Sequence, residues 1–328
     1  MNKRCKITLR PLDGSERTTG YSPQGLRELF GTVQVNPRLT YTSAEFFRHG
    51  AQATRGMSIS GVQAKLSLAL EQGELVPVAR GGRYILKPSP QGYAHAAENE
   101  HAAMLASRAC GIKTARCGLV VFSDGELAYL TRRFDRDEAG RALVQEELAS
   151  VAGLGAEAKY ETSYEALGKT ILEASAGKRA LVLDFFTRVM LAYVMGNDDL
   201  HAKNISLTRT LDNTTRYFDA LAPNYDVLFV SSFEEGGSEH FLALDLLDDG
   251  ETPEFGVYGY PTGHSFAELG KRLSLPPQAI QRAYASLYKA MPKVETIVRN
   301  SFMPVMMQNK ALTVLRERLG GVGKGLVQ

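Results

Sequence analysis

The chain has 328 residues and a mass of 35.9 kDa, enough for two domains or one large two-lobed unit. A hydrophobic fraction of 44% with 23% charged residues excludes a disordered chain and predicts a sizeable core. The 38 basic and 36 acidic residues give a net charge of +2, which offers no case for a dedicated nucleic-acid or polybasic membrane binder.

The cysteines and the apolar runs bear on the compartment. Cys5, Cys110 and Cys117 are too few for a disulfide framework and predict ordinary thiols in a reducing compartment. No apolar run reaches the roughly 18 residues of a membrane-spanning helix. No apolar segment follows the basic start of the chain, as it would in a secretory signal. We therefore expect a cytoplasmic protein with no membrane contact.

The first half of the chain is predicted to be rich in short strands, because its apolar runs are bounded by glycine, proline and turn residues. The predicted strands are residues 5–9, 65–70, 75–78, 83–87, 119–122 and 127–130. The last two flank Ser123-Asp124-Gly125, which is a hairpin signal. One helix is predicted in this half, at residues 97–109, where small and apolar side chains share a face before Gly111.

The second half is predicted to be mostly helical, at residues 163–172, 181–195, 277–291 and 294–319. An irregular stretch with short strands is expected at 204–240, and periodicity leaves 241–247 open between a strand and a short helix. Glycines at 320–325 favour a flexible tail over a phosphate loop. The charged stretch 131–145 is interpreted as a hinge. The predicted fold class is therefore α+β, with a β-rich N-lobe at 1–134 and a mainly helical C-lobe at 135–328.

The strongest chemical signal follows the apolar helix at 181–195. Asp199 and Asn204 are separated by four residues, which is the spacing of a kinase catalytic loop. In such a loop the Asp orients or deprotonates the attacking hydroxyl, and the Asn oxygen binds a metal that holds the phosphates. A further carboxylate, Asp226, follows after a predicted strand and turn. Oxygen ligands of this kind suit Mg²⁺.

Three upstream features complete a kinase-like order. Lys87 ends the strand at 83–87, where an ammonium can pair with nucleotide phosphates. Glu98 or Glu100 in the following helix can pair with Lys87, and we favour Glu100. The loop 57–65 has two hydroxyls and one glycine, Ser58, Ser60 and Gly61, and its backbone N–H groups can cover phosphates. Together these features indicate phosphoryl transfer with ATP and Mg²⁺.

Each of these residues also has a simpler interpretation. Asp199 can cap a turn, His201 can be a core histidine, and Lys87 can be a surface lysine. Competing motifs fail more clearly: Gly168-Lys169-Thr170 resembles the end of a Walker A loop, but position 163 is Ser rather than Gly. No spacing of cysteines and histidines indicates zinc. The order of the kinase-like features, rather than any one of them, favours an enzyme.

A family resemblance runs in order from about residue 5 to beyond 230, and seven motifs between residues 57 and 228 carry it: MSISGVQAKLSL, GRYILKP, ENEHAAMLASRACGI, TRRFDR, KYETSYEALGKTI, MGNDDLHAKNISL and LAPNYDVL. Together they resemble the HipA family of serine/threonine kinase toxins. The chain is short for a full-length HipA and is more similar to HipT, the compact kinase of three-component systems. The resemblance implies a bilobal kinase fold. It also implies phosphorylation of a protein, with aminoacyl-tRNA synthetases among the family's targets.

The resemblance also implies roles for particular residues. Asp199 becomes the catalytic Asp, and His201 helps to hold its loop. Asn204 and Asp226 hold Mg²⁺, and Lys87 contacts the nucleotide phosphates. The remaining implied contacts are the adenine-facing backbone of Arg132 and Phe134, the ribose neighbour Asp135, and a loop that is autophosphorylated at Ser58 and Ser60.

The implied partners are a helix-turn-helix antitoxin similar to HipB and a small HipS-like protein that stands in for a missing N-terminal subdomain. DNA would be contacted only through the antitoxin, which fits the near-neutral charge. Two other function classes stay open from the residues. One is a small-molecule kinase of the aminoglycoside or choline type, which uses the same loop spacing. The other is a pseudokinase binding module.

Overall fold

The computed structural model describes residues 3–53, 64–137, 140–155, 158–233 and 240–326. Its N-terminal half is built on an antiparallel sheet with the strand order β2-β1-β3-β5-β4. The strands are β1 (Leu66–Glu71), β2 (Glu74–Pro77), β3 (Tyr84–Pro88), β4 (Cys117–Val121) and β5 (Leu127–Arg132). These match five of the predicted strands within three residues at each end. Ser58, Ser60 and Gly61 lie outside the described residues.

Alternation along the central strands divides the side chains between two cores. Leu86 of β3 lies opposite Leu130 of β5, and both belong to a core formed with the N-terminal segment. Lys87 lies opposite Tyr129, and Tyr129 belongs to the core of the helical half. Successive side chains of a strand point to opposite faces. The pleat therefore directs Lys87 toward the helical half.

The predicted strand at residues 5–9 is wrong. Residues Arg4 and Pro11 form a single antiparallel bridge, and the chain between them turns back on itself. Leu9 adopts a φ of 59°, and its N–H donates to the carbonyl of Cys5 at 2.9 Å. Cys5, Ile7 and Leu9 are buried all the same. The alternating pattern thus identified buried side chains but not the backbone that carries them.

Three helices of the N-terminal half were not predicted: α1 (Glu16–Thr19), α2 (Pro23–Phe30) and α3 (Ser43–Ala53). The second has recognisable local signals. The Ser22 hydroxyl accepts from the N–H of Gly25 as an N-cap, and Pro23 occupies the first turn, where its missing N–H costs nothing. Leu29 and Phe30 then pack against the sheet.

Helix α4 (Ala96–Ala109) connects the two halves and matches the helix predicted at 97–109. Its residues are buried on nearly every side because one face packs on β4 and β5 and another packs on a helix of the C-terminal half. Even its polar residues Glu98, Asn99, Glu100 and His101 are buried. Polar groups in such a position need partners, and these partners form the candidate site described below.

The C-terminal half is mostly helical and carries a small antiparallel sheet with the order β6-β7-β8. Its strands are β6 (Val144–Glu147), β7 (Ser206–Arg209) and β8 (Ala220–Leu221). Its helices are α5 (Leu148–Val151), α6 (Tyr164–Ala174), α7 (Arg179–Met195), α8 (Pro253–Tyr258), α9 (Gly263–Arg272), α10 (Pro277–Asn300) and α11 (Val305–Gly323). The two short helices α8 and α9 were not predicted.

The predicted break between the last two helices is misplaced. Helix α10 continues through Pro292 to Asn300, and the chain turns at residues 301–304 instead. Val294 and Val298 extend the buried face of α10, so packing outweighs the hydrogen bond that Pro292 cannot donate. Residues 241–247 form neither a strand nor a helix, apart from one bridge between Asp245 and Ser163.

The predicted glycine tail at 320–325 is also wrong over most of its length, since α11 extends to Gly323. A Cβ on Gly321 would lie 3.2 Å from the Tyr260 ring, so a small residue suits this position. No helix in the described ranges is long and apolar enough to cross a membrane. The domain boundary between residues 134 and 135 stays a prediction, because α4 and Tyr129 belong to the same core as the helical half.

Candidate active site

A buried lysine joins the two halves of the molecule. The Lys87 Nζ lies 2.8 Å from Glu100 Oε1 of α4 and 2.7 Å from Asp226 Oδ1 of the C-terminal half. The other candidate partner in α4, Glu98, instead lies 3.0 Å from the His95 ring. The geometry therefore places Lys87, Glu100 and Asp226 in one cluster, with a single cation between two carboxylates.

Burial and charge act in opposite directions on this cluster. Burial lowers the pKa of Lys87, but Asp226 and Glu100 together raise it above its ordinary value, so Lys87 is a cation. Burial raises the pKa of Asp226, yet Lys87 and then Lys65 more than offset this and hold it at about 2. Asp226 is therefore an anion. Burial raises the pKa of Glu100 to about 7 against the opposing effect of Lys87.

The loop that carries Asp199 begins where α7 ends. Gly196 adopts a left-handed conformation with a φ of 68°, and its N–H caps the helix on the carbonyls of Ala192 and Tyr193. Ser231, which follows Asp226 by five residues, donates from its backbone N–H and its hydroxyl to the Gly196 carbonyl. This contact couples the Asp199 loop to the segment that carries Asp226.

Asn204 is fixed by the loop itself. Its Nδ2 donates to the backbone carbonyl of Asp199 at 2.8 Å, and its N–H donates to the carbonyl of His201 at 2.9 Å. The four-residue spacing between Asp199 and Asn204 is thus the length of one closed turn. Because the amide nitrogen is engaged in this way, the amide oxygen is the end of the side chain that suits a cation.

The Asp199 side chain is about half exposed to solvent, although the residues around it are largely buried. Its side chain is 48% exposed, and Tyr160 donates a hydrogen bond to Oδ1 at 3.2 Å. Burial of its surroundings and the nearby charge of Asp226 raise the pKa of Asp199, while Lys159 and the Tyr160 hydroxyl oppose the rise. A reachable carboxylate with a raised pKa is suited to accept a proton from a hydroxyl.

His201 lies in the same loop and is buried. Its Nε2 lies 2.9 Å from Lys159 Nζ and 3.6 Å from Asp199 Oδ1. Burial, and then the charge of Lys159, lower its pKa to about 4, so the ring is neutral at physiological pH. A neutral ring accepts at Nε2, and the ammonium of Lys159 donates to it.

The backbone of Asp226 is strained, and the residues after it are anchored by hydrogen bonds to α4. Its φ of 58° lies in the left-handed region, which is uncommon outside glycine and marks a position under functional or structural constraint. Three residues later, Phe229 donates from its N–H to Asn99 Oδ1 of α4 at 2.7 Å, and Asn99 Nδ2 donates to Ser232 Oγ at 2.9 Å. Helix α4 thus supports the cluster through both Glu100 and its neighbour Asn99.

The donor set fits Mg²⁺ rather than a zinc-type site. Asp226 and Asn204 offer oxygen atoms only, and Mg²⁺ is bound in proteins through one or two such groups plus phosphate oxygens and water. Within the described ranges, no cluster of three or more His, Cys, Asp or Glu side chains suitable for a metal occurs. When bound with a nucleotide, Mg²⁺ supplies positive charge that neutralises phosphate oxygens.

The residues at the predicted hinge have partners within the protein. Arg132 ends β5, and its N–H donates to the carbonyl of Arg116 at 2.8 Å. The Phe134 ring packs at 5.3 Å from the ring of Tyr225. Asp135 accepts two hydrogen bonds from Arg133, at 2.9 and 2.5 Å. The predicted nucleotide contacts of Arg132, Phe134 and Asp135 stay predictions.

Sequence reasoning missed three basic or aromatic residues of this site: Lys65, Lys159 and Tyr160. Lys65 lowers the pKa of both Asp226 and Glu100 and therefore lies close to the carboxylate pair. Lys159 and Tyr160 precede α6, some 40 residues before the loop they contact. Both belong to the motif KYETSYEALGKTI, but nothing local indicates that they meet Asp199.

Solved structures similar to this chain define the class of fold. A HipA chain from Shewanella oneidensis, solved in a toxin–antitoxin complex with HipB and operator DNA, matches with a TM-score of 0.62 at 21% identity. The match covers 82% of this chain and 66% of that one. The Helicobacter pylori proinflammatory kinase CtkA matches with a TM-score of 0.56 at 15% identity, covering 83% and 92%. The fold is a bilobal, kinase-like α+β fold, as predicted.

The family follows from the sequence comparisons. A model of the HipA-like C-terminal domain matches residues 57–294, and the chain belongs to the HipA-like family. A Haemophilus influenzae protein named "Putative kinase" is 35% identical over 333 residues, which is 96% of each chain. A Sinorhizobium fredii protein named "Putative kinase Y4dM" is 32% identical over 197 residues, 55% of this chain and 46% of that protein. The predicted HipA resemblance is confirmed, and the finer likeness to HipT stays a prediction.

Proposed function

We propose that this protein is an ATP-dependent serine/threonine kinase that phosphorylates a protein and acts as the toxin of a toxin–antitoxin system. The observation that carries the proposal is the buried Lys87, which is held between Glu100 and Asp226. The segment after Asp226 is in turn hydrogen-bonded to the start of the Asp199 loop through Ser231 and Gly196. A nucleotide triphosphate needs a fixed cation and metal-binding oxygens beside a reachable carboxylate. The cluster and the Asp199 loop together supply all three from separate elements.

Each residue has a proposed task in this reaction. Lys87 holds the nucleotide phosphates, and the oxygens of Asn204 and Asp226 hold Mg²⁺. Asp199 orients the acceptor hydroxyl and receives its proton, and His201 keeps the loop in shape. The backbone of Arg132 and Phe134 meets the adenine and Asp135 lies near the ribose. Membership of the HipA-like family, whose domain model spans residues 57–294, supports these assignments.

The proposed regulation uses the loop of Ser58, Ser60 and Gly61. In the proposed active state Ser60 and Gly61 cover the ATP phosphates through their backbone. Phosphorylation of Ser58 or Ser60 adds about −1.5 to −2 charges, which repel the triphosphate and turn the kinase off. The Ser-x-Ser motif and the family membership support this switch.

The proposed partners follow the toxin assignment. A HipB-like helix-turn-helix antitoxin would bind the kinase and carry any DNA contact, and a HipS-like small protein would complete a HipT-type complex. The Shewanella HipA, which was solved with HipB and its operator DNA, supports the antitoxin. The proposed substrate is a translation protein, with an aminoacyl-tRNA synthetase as the first choice.

The experiment uses purified protein, Mg²⁺, ATP labelled on its terminal phosphate, and a bacterial lysate. We expect discrete labelled protein bands with the wild type and none with Asp199→Asn, which preserves side-chain size but removes the carboxylate. A matched control, Asp212→Asn, changes an exposed carboxylate away from the site and should label as the wild type does. Label in small molecules alone would favour an aminoglycoside-type or choline-type kinase, and no label at all would favour a pseudokinase.

A further inference from the structure

Lys159 lies on a short segment that packs against the Asp199 loop. The segment turns at residues 158–161, where Glu161 donates from its N–H to the Ala158 carbonyl at 3.0 Å. It leads into α6, whose first residue Tyr164 is fully buried and donates from its hydroxyl to the Leu200 carbonyl at 2.9 Å. Lys159 is thus placed by the fold beside the loop.

Two contacts define the position of the Lys159 ammonium. Its Nζ lies 2.9 Å from His201 Nε2 and 4.7 Å from the centre of the Tyr160 ring. The edge of the Tyr160 ring in turn meets His201 at 5.2 Å, and the Tyr160 hydroxyl donates to Asp199. Asp199, Tyr160, His201 and Lys159 therefore form one connected group.

The Lys159 ammonium forms no ion pair in this group, although its charge lowers the pKa of the nearby Asp199. His201 Nε2 takes up one of the three N–H groups of this ammonium. Within the part of the chain that the structure describes, no carboxylate forms an ion pair with Lys159. Lys87 is different, because two carboxylates surround it. Lys159 therefore offers a positive charge, held in place by a ring nitrogen and an aromatic face, next to the half-exposed Asp199.

Phosphoryl transfer needs such a charge at this place. The acceptor oxygen forms a bond to the γ-phosphorus while the bond from that phosphorus to the β–γ bridging oxygen breaks. ADP leaves with the electron pair, and the hydroxyl proton passes to Asp199. Negative charge is spread over the three equatorial oxygens during this exchange. Lys87 and the Mg²⁺ that Asn204 and Asp226 would hold act from the nucleotide side. Lys159 adds a cation beside Asp199, where the acceptor hydroxyl has to lie.

We propose that Lys159 is a catalytic residue that contacts the phosphoryl group during transfer, while His201 and Tyr160 position its ammonium. The proposal rests on the kinase function proposed above and adds to it a cation delivered from outside the Asp199 loop. A cation that acts only on the group in transit raises the rate of transfer without a matching effect on nucleotide affinity.

The test compares Lys159→Gln, Lys159→Met and Lys159→Arg with the wild type. Gln keeps an N–H donor, one atom closer to the backbone, and removes the charge, so it decides the question if Met impairs folding. The transfer rate is measured with labelled ATP and total lysate protein in a single turnover, and Mg-ATP affinity is measured by calorimetry. We expect Gln and Met to lower the rate about 100-fold or more while ATP affinity stays within about threefold of the wild type, and Arg to recover part of the rate.

Lys289→Met, which removes an exposed lysine of α10, is the matched control and should behave as the wild type. A rate for Lys159→Gln within about threefold of the wild type would overturn the proposal, since an essential charge would then be dispensable. A parallel loss of ATP affinity and rate would also overturn it, because it indicates a role in nucleotide binding or loop structure. If the wild type transfers no phosphate, the proposed kinase function itself is contradicted. That result differs from an active wild type with an equally active Lys159→Gln variant, which contradicts only the role of Lys159.

Discussion

The ion cluster of Lys87, Glu100 and Asp226 is the residue-level feature on which the site depends. Lys87 and Glu100 are buried, with side-chain exposures of 6% and 1%, and Asp226 is 24% exposed. Charges so placed cost desolvation energy, and their mutual attraction repays it only while all partners remain. The cluster therefore carries a desolvation cost, and removing one of its partners destabilises the fold further. Such an arrangement is typical of a functional site rather than of a stabilising surface pair.

Lys87→Met tests this view. Without its ammonium, Glu100 and Asp226 face each other with no cation between them, so we expect unfolding free energy to fall by about 3 kcal/mol. The double variant Lys87→Met with Glu100→Gln removes one buried charge and should recover most of that loss. Nucleotide affinity should be lost in both. Urea unfolding and calorimetry with Mg-ATP measure the two effects, and a single-variant cost below about 1 kcal/mol would contradict the account.

Single residues of the site differ in how well the sequence indicates them. Asp199 and Asn204 are close in the chain, and their spacing is the length of one hydrogen-bonded turn, so a local pattern is sufficient to predict them. Asp226 and Lys87 follow from their order along the chain and from the family resemblance. Lys159 and Tyr160 act through contacts with distant residues, and a single sequence carries no signal for such contacts.

At the level of elements, the end of α7 determines where the Asp199 loop begins. Gly196 has a φ of 68°, and a Cβ there would lie 2.6 Å from Ser231 Oγ. Both the backbone conformation and the contact with the Asp226 segment therefore exclude a larger residue. The same glycine that ends the helix also allows the segments of Asp199 and Asp226 to approach each other.

Gly196→Ala should lower both stability and activity, and Gly177→Ala is a matched control. Gly177 also has a positive φ, 81°, but a Cβ there meets no atom within 4 Å. In each variant, an alanine in the left-handed backbone conformation destabilises the fold by about 1–2 kcal/mol. We expect Gly196→Ala to cost at least about 1 kcal/mol more in urea unfolding and to lower kcat, because the loop must move away from Ser231. Equal costs for the two variants would show that the close contact has no effect.

The elements themselves were predicted with uneven success for physical reasons. Strands bounded by turn residues and long apolar helices have local signals, and β1 to β5, α4, α6 and α7 were found. The turn at residues 5–9 and the uninterrupted helix α10 were missed, since tertiary packing decided both against the local pattern. Ser22 and Pro23 did signal α2 locally, as a cap followed by a first-turn proline.

At the level of the whole molecule, two neutral histidines make the fold sensitive to acid. His101 of α4 is fully buried, and its Nε2 donates to the Ile7 carbonyl at 3.0 Å. Its Nδ1 has no partner among the described residues. Burial lowers the pKa of His101 to about 4, and burial followed by Lys159 lowers that of His201 to the same value. Protonating either ring places a charge in a site that cannot solvate it.

The sign of the pH effect follows from these pKa values. An unfolded histidine titrates near 6.5 and the folded ones near 4, so the unfolded chain binds more protons between these pH values. Stability is complete above about pH 6.5 and is lost as the pH falls toward 4, by an amount on the order of 3 kcal/mol for His101. His101→Gln keeps a donor for Ile7 and should flatten the dependence in urea unfolding. Replacing the exposed His264 in the same way should leave the dependence unchanged, and equal slopes for both variants would contradict the assignment.

The two lobes are tied together by α4, which supplies Glu100 to Lys87 and Asn99 to the segment after Asp226. This arrangement explains why one kinase-like site forms between a β-rich and a helical half.

The most direct measurement is quantitative phosphoproteomics of cells that express the wild-type chain or its Asp199→Asn variant at equal levels. The account predicts growth arrest and new phosphoserine or phosphothreonine sites on a small set of proteins, including a translation protein, with the wild type alone. Identical phosphosites in both cultures, or growth arrest that persists with a folded Asp199→Asn protein, would contradict the claim that this site transfers phosphate.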